Sequence, residues 1–141
     1  MKKLFLFVSV VALTVTLNSC SSDSDGGGKS ITFKVGGVSK SFSTIVAAEG
    51  GGVVFVTAYN GTASDPGESV QFTINSGETG AGKVTNFGYT SPGGNDFEGN
   101  PLTSNVTTNS GSSVKGTFSG TLDGVSGSDL IMTEGNFSID Y

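Results

Sequence analysis

The chain lacks three residue types on which much protein chemistry depends. Its 141 residues include no histidine, no tryptophan and no arginine. Without histidine, the most common general base and the most common metal ligand are missing. Without arginine, and with twelve acidic residues against seven lysines, the chain lacks the positive surface that nucleic-acid phosphates attract. We therefore expect a protein that is not an enzyme and does not bind DNA or RNA.

The chain also has only one cysteine, Cys20, so it cannot form an internal disulfide. This residue follows Lys2, Lys3 and an apolar run of 14 residues from Leu4 to Leu17. Spanning a bilayer takes roughly 20 helical residues, so the run is too short for a permanent transmembrane anchor. A positive start followed by such a run predicts a secretory signal peptide over residues 1–19.

The sequence around the cysteine, Leu17-Asn18-Ser19-Cys20, resembles the lipobox of bacterial lipoproteins. The resemblance implies that the signal is removed before Cys20 and that its thiol carries a diacylglycerol. It also implies that the new amino group is acylated, with palmitate as a typical chain. Two or three acyl chains on one residue hold a small domain firmly at a membrane.

Residues 20–28 continue with serine, aspartate and glycine and contain no apolar side chain after Cys20. This composition predicts a flexible tether. Acidic residues directly after the cysteine resemble the export signal of Bacteroidetes-type surface lipoproteins. The resemblance implies an outer-membrane protein at the cell surface, with the periplasmic face as the alternative.

The remaining part, residues 29–141, shows apolar and polar residues in alternation, which is typical of half-buried strands. Glycine-rich and Asp/Asn-rich turn signals separate these segments, and no long segment has a helical period. The pattern predicts an all-β domain, an antiparallel β-sandwich of about eight or nine strands, with a small β-barrel as the alternative. Val53 to Val56 are apolar without interruption, which predicts a central strand covered on both faces.

Two C-terminal segments, Gly116 to Leu122 (GTFSGTL) and Thr133 to Ile139 (TEGNFSI), resemble the ending of small Bacteroidetes-type lipoproteins with a β domain of unknown function. The resemblance implies a secreted, anchored β domain. It implies no catalytic residue.

Candidate ligand-binding residues are Tyr59, Tyr89 and Phe97, because these aromatics adjoin glycine- and asparagine-rich loops. Asp96 and Glu98 lie in one oxygen-rich loop and are weak candidates for holding Ca²⁺, a cation that prefers oxygen ligands. The sequence predicts no other metal or cofactor.

These features favour a lipid-anchored binding or interaction module whose partner is a glycan or a protein. Two alternatives stay open. One is a structural envelope lipoprotein without a small-molecule ligand, and the other is a small barrel that carries an apolar ligand.

Overall fold

The computed structural model describes residues 28–141. The predictions for the signal peptide, for Cys20 and for the tether up to residue 27 lie outside the described residues. All regular structure between residues 28 and 141 is β-strand. The strands are β1 (Ser30–Val35), β2 (Val38–Ser41), β3 (Thr44–Gly50), β4 (Val53–Tyr59), β5 (Ser69–Asn75), β6 (Gly80–Ala81), β7 (Val84–Thr90), β8 (Asp96–Ser110), β9 (Ser113–Gly124) and β10 (Leu130–Asp140).

The strands form one sheet in the order β2-β1-β10-β9-β8-β7-β5-β4-β3, with β6 paired to β8. Every pairing along this order is antiparallel, so β2 and β3, at its two ends, run in the same direction. Only Phe42 and Ser43 separate these two strands in the chain. They are therefore two halves of one bent strand, and the sheet curls until both of its edges belong to that strand.

The predicted all-β antiparallel fold is confirmed. The described residues contain ten strands rather than eight or nine, because the bent strand counts twice and β6 has only two residues. One continuous curled sheet is closer to the small barrel than to two stacked sheets.

Aromatic rings fill the inside of the curled sheet. Phe33 on β1 and Tyr89 on β7 lie four strands apart in the sheet order, about 19 Å in a flat sheet. Their ring centroids are nevertheless 5.6 Å apart. Phe118 lies at the centre of this cluster, since its ring contacts four others at centroid distances between 5.1 and 6.1 Å: those of Phe33, Phe72, Phe87 and Phe137. The core thus forms by curling of the sheet and not by addition of a second layer.

The alternating segments face as the sequence predicts. Most of the apolar residues on β1, β5, β9 and β10 are buried, with Ile131 as an exposed exception, while most of the polar residues between them are exposed or half-buried. The prediction for Val53 to Val56 was wrong. β4 alternates like the other strands, with Val54 and Val56 buried and Phe55 53% exposed. In the described structure nothing covers the outer face of this strand, so an uninterrupted apolar run does not here indicate burial on both faces.

A cluster of polar side chains connects the two edges of the sheet at the bend. At this point the bent strand changes from pairing with β1 to pairing with β4. The Lys40 ammonium lies 2.7 Å from Glu68 Oε1, and both side chains are mostly buried, 17% and 11% exposed. The Tyr89 hydroxyl donates to the same carboxylate at 2.6 Å. The Asn60 side chain accepts a hydrogen bond from the Ser43 backbone amide, within the bend, and donates one to the Ser41 carbonyl at the end of β2. We call Lys40, Asn60, Glu68 and Tyr89 the seam cluster.

The seam cluster also perturbs the pKa values of its acidic groups. Burial alone would raise the pKa of Glu68, but hydrogen bonds from Lys40 and Tyr89 outweigh it and hold this pKa below its ordinary value. Burial, and then the hydrogen bond to the Glu68 carboxylate, raise the pKa of the Tyr89 hydroxyl far above its ordinary value. At neutral pH the cluster therefore contains a carboxylate anion and a neutral phenol.

Candidate functional site

A groove of about 750 Å³ lies on the outer face of the sheet, across β5, β7 and β8. Two rows of cross-strand neighbours form it. In one row Gln71 lies opposite Gly88 and Gly88 opposite Glu98, and in the other Ser69 lies opposite Thr90 and Thr90 opposite Asp96. The polar side chains that line it are those of Ser69, Gln71, Asn86, Thr90, Asp96 and Glu98.

The middle of the groove has no side chain at Gly88, and the flexible side chain of Gln71 lies close to this position. The three heavy atoms nearest to a Cβ placed there all belong to Gln71, with its Nε2 at 3.3 Å and its Cγ at 3.4 Å. The backbone of Gly88 is not in the left-handed region, so the glycine is not required by the local conformation. What the glycine provides at this position is room for the Gln71 side chain to lie against the strand.

A β-bulge in β7 bends the sheet beside the groove. The pairing of β5 and β7 shifts register between Gln71 and Thr73, and Asn86 adopts the left-handed conformation with φ of 50°. Bulges of this kind bend the strand and increase its twist. The side-chain amide of Asn86 donates a hydrogen bond to Thr73 Oγ1 at 2.9 Å, which holds the bulge against β5.

The groove is acidic. Asp96 and Glu98 contribute its charged groups, and none of the lysines in the described part of the chain lines it. The Thr90 hydroxyl donates to Asp96 Oδ1 at 2.8 Å and orients that carboxylate. Amides, hydroxyls and carboxylates together offer both donors and acceptors, which suits a neutral ligand rich in hydroxyl groups and disfavours an anionic one.

Two of the three predicted aromatic candidates lie under the groove. Tyr89 and Phe97 are 3% and 8% exposed, belong to the core, and have ring centroids 5.9 Å apart. The Tyr89 hydroxyl is bound to Glu68 in the seam cluster. These two rings therefore support the floor of the groove from inside and do not offer an open ring face.

The third candidate, Tyr59, lies beside the groove. It pairs with Ser69 across β4 and β5, so it extends the row of Ser69, Thr90 and Asp96 by one strand. It is half-buried. Phe55 lies on the same outer face of β4, since side chains alternate along a strand and the two positions are four residues apart. Phe55 was not among the predicted binding residues, because its apolar neighbours in the sequence predicted burial.

The predicted Ca²⁺ candidates, Asp96 and Glu98, lie on one face of β8, two residues apart. The Asp96 carboxylate accepts from Thr90, and Glu98 lies opposite Asp123 on β9. Within residues 28–141 no group of three or more His, Cys, Asp or Glu side chains is placed to hold a metal ion. Binding of Ca²⁺ at this pair stays a prediction.

In the described part of the chain no helix is long and apolar enough to cross a membrane. Comparison of the chain with protein-family models, with curated proteins and with solved structures gave no match.

Proposed function

We propose that this protein is a lipid-anchored binding module of the bacterial cell envelope, and that the groove across β5, β7 and β8 binds a glycan. The observation that carries the proposal is the open polar groove itself. Its exposed side chains are amides, hydroxyls and carboxylates together with Val125, and Gly88 leaves room for the Gln71 side chain beside it. A sugar presents many hydroxyl groups in a small volume, and each of them can both donate and accept.

The anchor in this proposal is Cys20, and the proposed address is the outer membrane, at the cell surface. Its support is the apolar run of 14 residues that ends in Leu17-Asn18-Ser19-Cys20. The acidic, glycine-rich tether that follows would hold the folded domain away from the lipid surface.

A first prediction concerns the anchor. We expect Cys20→Ser to move the protein from the membrane fraction to the soluble fraction, because no acyl chain can then be attached. Fractionation of cells and mass spectrometry of the mature N-terminus measure this. A Cys20→Ser protein that stays with the membrane would contradict the lipid assignment.

A second prediction concerns the groove. We expect Gly88→Thr to weaken glycan binding by about tenfold or more, because the new side chain displaces Gln71 and fills part of the groove. The fold is expected to tolerate the change, since threonine favours strands and the nearest neighbour is a flexible side chain. Binding of the full chain to immobilised neutral oligosaccharides, measured beside thermal unfolding, separates the two effects.

The matched control for this prediction is Gly50→Thr. Gly50 also lies in a strand, its backbone is not left-handed, and a Cβ there would have no neighbour within 4 Å. Binding is expected to be unchanged in this variant. Equal binding by the Gly88 and Gly50 variants would remove the groove as the site. Absence of binding by the unaltered chain to every oligosaccharide tested would favour a structural envelope protein.

A further inference from the structure

The outer face of β4 presents two aromatic rings beside the groove. Phe55 and Tyr59 are four residues apart with Thr57 between them, so their Cα atoms are about 13 Å apart along the strand. Phe55 is 53% exposed, an unusual exposure for a phenylalanine in a strand whose other face is buried. The ring is therefore available to a ligand, unlike those of Tyr89 and Phe97.

The strand pairing connects these rings to the groove. Thr57 lies opposite Gln71, which lines the groove, and Phe55 lies opposite Thr73. The Thr73 hydroxyl accepts from the Asn86 amide, and Asn86 also lines the groove. Phe55 and Gln71 are therefore diagonal neighbours on adjacent strands, since Gln71 is two residues from Thr73, the residue opposite Phe55. An aromatic side chain can span this separation.

We propose that Phe55 is a binding subsite on which one sugar ring packs while the next sugar units lie in the groove. This proposal rests on the proposed function and specifies the ligand class as a neutral oligosaccharide longer than one sugar unit. The carbon face of a sugar ring is apolar and packs on an aromatic face, whereas its hydroxyl edge is satisfied by side chains such as Gln71 and Glu98. A ligand with both an apolar face and a hydroxyl edge would use the exposed Phe55 ring and the neighbouring polar groove together.

The length requirement follows from the spacing. Phe55 and the groove floor at Gly88 are two strands apart, about 10 Å, since Phe55 is on β4 and Gly88 on β7 with β5 between them. A single sugar ring cannot pack on Phe55 and also reach Gly88.

The proposed ligand is neutral because Asp96 and Glu98 line the groove. Their carboxylates repel uronic-acid and sulfated glycans.

The experiment compares the full chain with Phe55→Ala and Phe55→Trp on neutral oligomers of glucose, mannose and N-acetylglucosamine, each from the monosaccharide to the hexasaccharide. Oligogalacturonate serves as the anionic probe. We expect affinity to rise with oligomer length in the unaltered chain. Phe55→Ala loses roughly 3- to 10-fold on the longer oligomers and little on the monosaccharide, and Phe55→Trp retains the affinity. Oligogalacturonate is expected to bind weakly.

Ile131→Ala is the matched control. Ile131 is 59% exposed on β10, on a strand that does not border the groove, so its variant is expected to bind like the unaltered chain. Equal affinities of the unaltered chain and Phe55→Ala at all lengths would overturn the Phe55 subsite and leave the groove proposal intact. If none of the neutral oligomers binds the unaltered chain, both proposals fail. A preference for oligogalacturonate would overturn the ligand class.

Discussion

Phe118→Ala is expected to lower the free energy of unfolding by about 3 to 5 kcal/mol, the usual cost of removing a buried aromatic ring. The Phe118 side chain is 2% exposed and its ring contacts four other phenylalanines from four different strands. Smaller side chains cannot fill the space that it occupies, because the surrounding rings are held by strands that lie on different sides of the curled sheet. Urea unfolding of the full chain, followed by circular dichroism, measures the change.

Phe55→Ala is the control for this prediction, since it removes the same ring from a position that is 53% exposed. We expect a loss below about 1 kcal/mol for this variant, because surface substitutions have small effects. Similar losses in the two variants would show that the two sides of the sheet have been assigned wrongly.

Glu68→Gln is expected to cost about 1 to 3 kcal/mol at neutral pH. The change leaves the mostly buried Lys40 ammonium without its carboxylate, at a bend where the sheet depends on side chains to join its two edges. The hydrogen bond from the Tyr89 hydroxyl can still be accepted by the glutamine oxygen, so the loss is mainly that of the charge pair.

The pH dependence of this loss has a definite sign. The pKa of Glu68 is lower in the folded state than its ordinary value of 4.5, so the folded protein binds this proton less readily than the unfolded chain. The stabilisation by Glu68 is therefore complete above pH 4.5 and disappears as the pH falls through the lower folded-state pKa. The difference in stability between the unaltered chain and Glu68→Gln should be constant near neutral pH and shrink in acid. A difference that grows in acid would contradict the assignment.

Glu134→Gln provides a matched comparison. Glu134 binds Lys34 at 2.7 Å, the same distance as in the pair of Lys40 and Glu68, but its side chain is 66% exposed. Exposed ion pairs contribute between 0 and about 1 kcal/mol, so we expect little change in unfolding. An equal effect of both substitutions would show that burial does not strengthen the seam cluster.

The sequence predicted the strands and most of the core because alternation is a local property. Phe33, Phe72, Phe118 and Phe137 each lie between polar neighbours, and all four are buried. Phe55 lies among valines, and its exposure follows from the absence of a second layer over β4, which is a property of the whole fold. Local pattern alone cannot distinguish these two situations.

The sequence predicted several residues in or near the groove but not the groove itself. Asp96 and Glu98 and the aromatic residues near it were named, but not the alignment that brings Gln71, Gly88 and Glu98 into one row. That alignment depends on the bulge at Asn86, which adds a residue to β7 and places both Val84 and Phe87 inside. The three-residue spacing of these two buried positions departs from strict alternation and is the one signal in the sequence that points to the bulge.

The pairing of the first strand with the last determines when this sheet can be completed. Ser30 on β1 lies opposite Ser138 on β10, so the ends of the described chain meet at the second and third positions of the sheet order, inside the sheet and not at its edge. Contacts between such distant residues form slowly. For a chain exported as proposed, β1 emerges from the translocation channel before its neighbour has crossed. We therefore expect the sheet of such a chain to be completed only after its C-terminal strand has crossed.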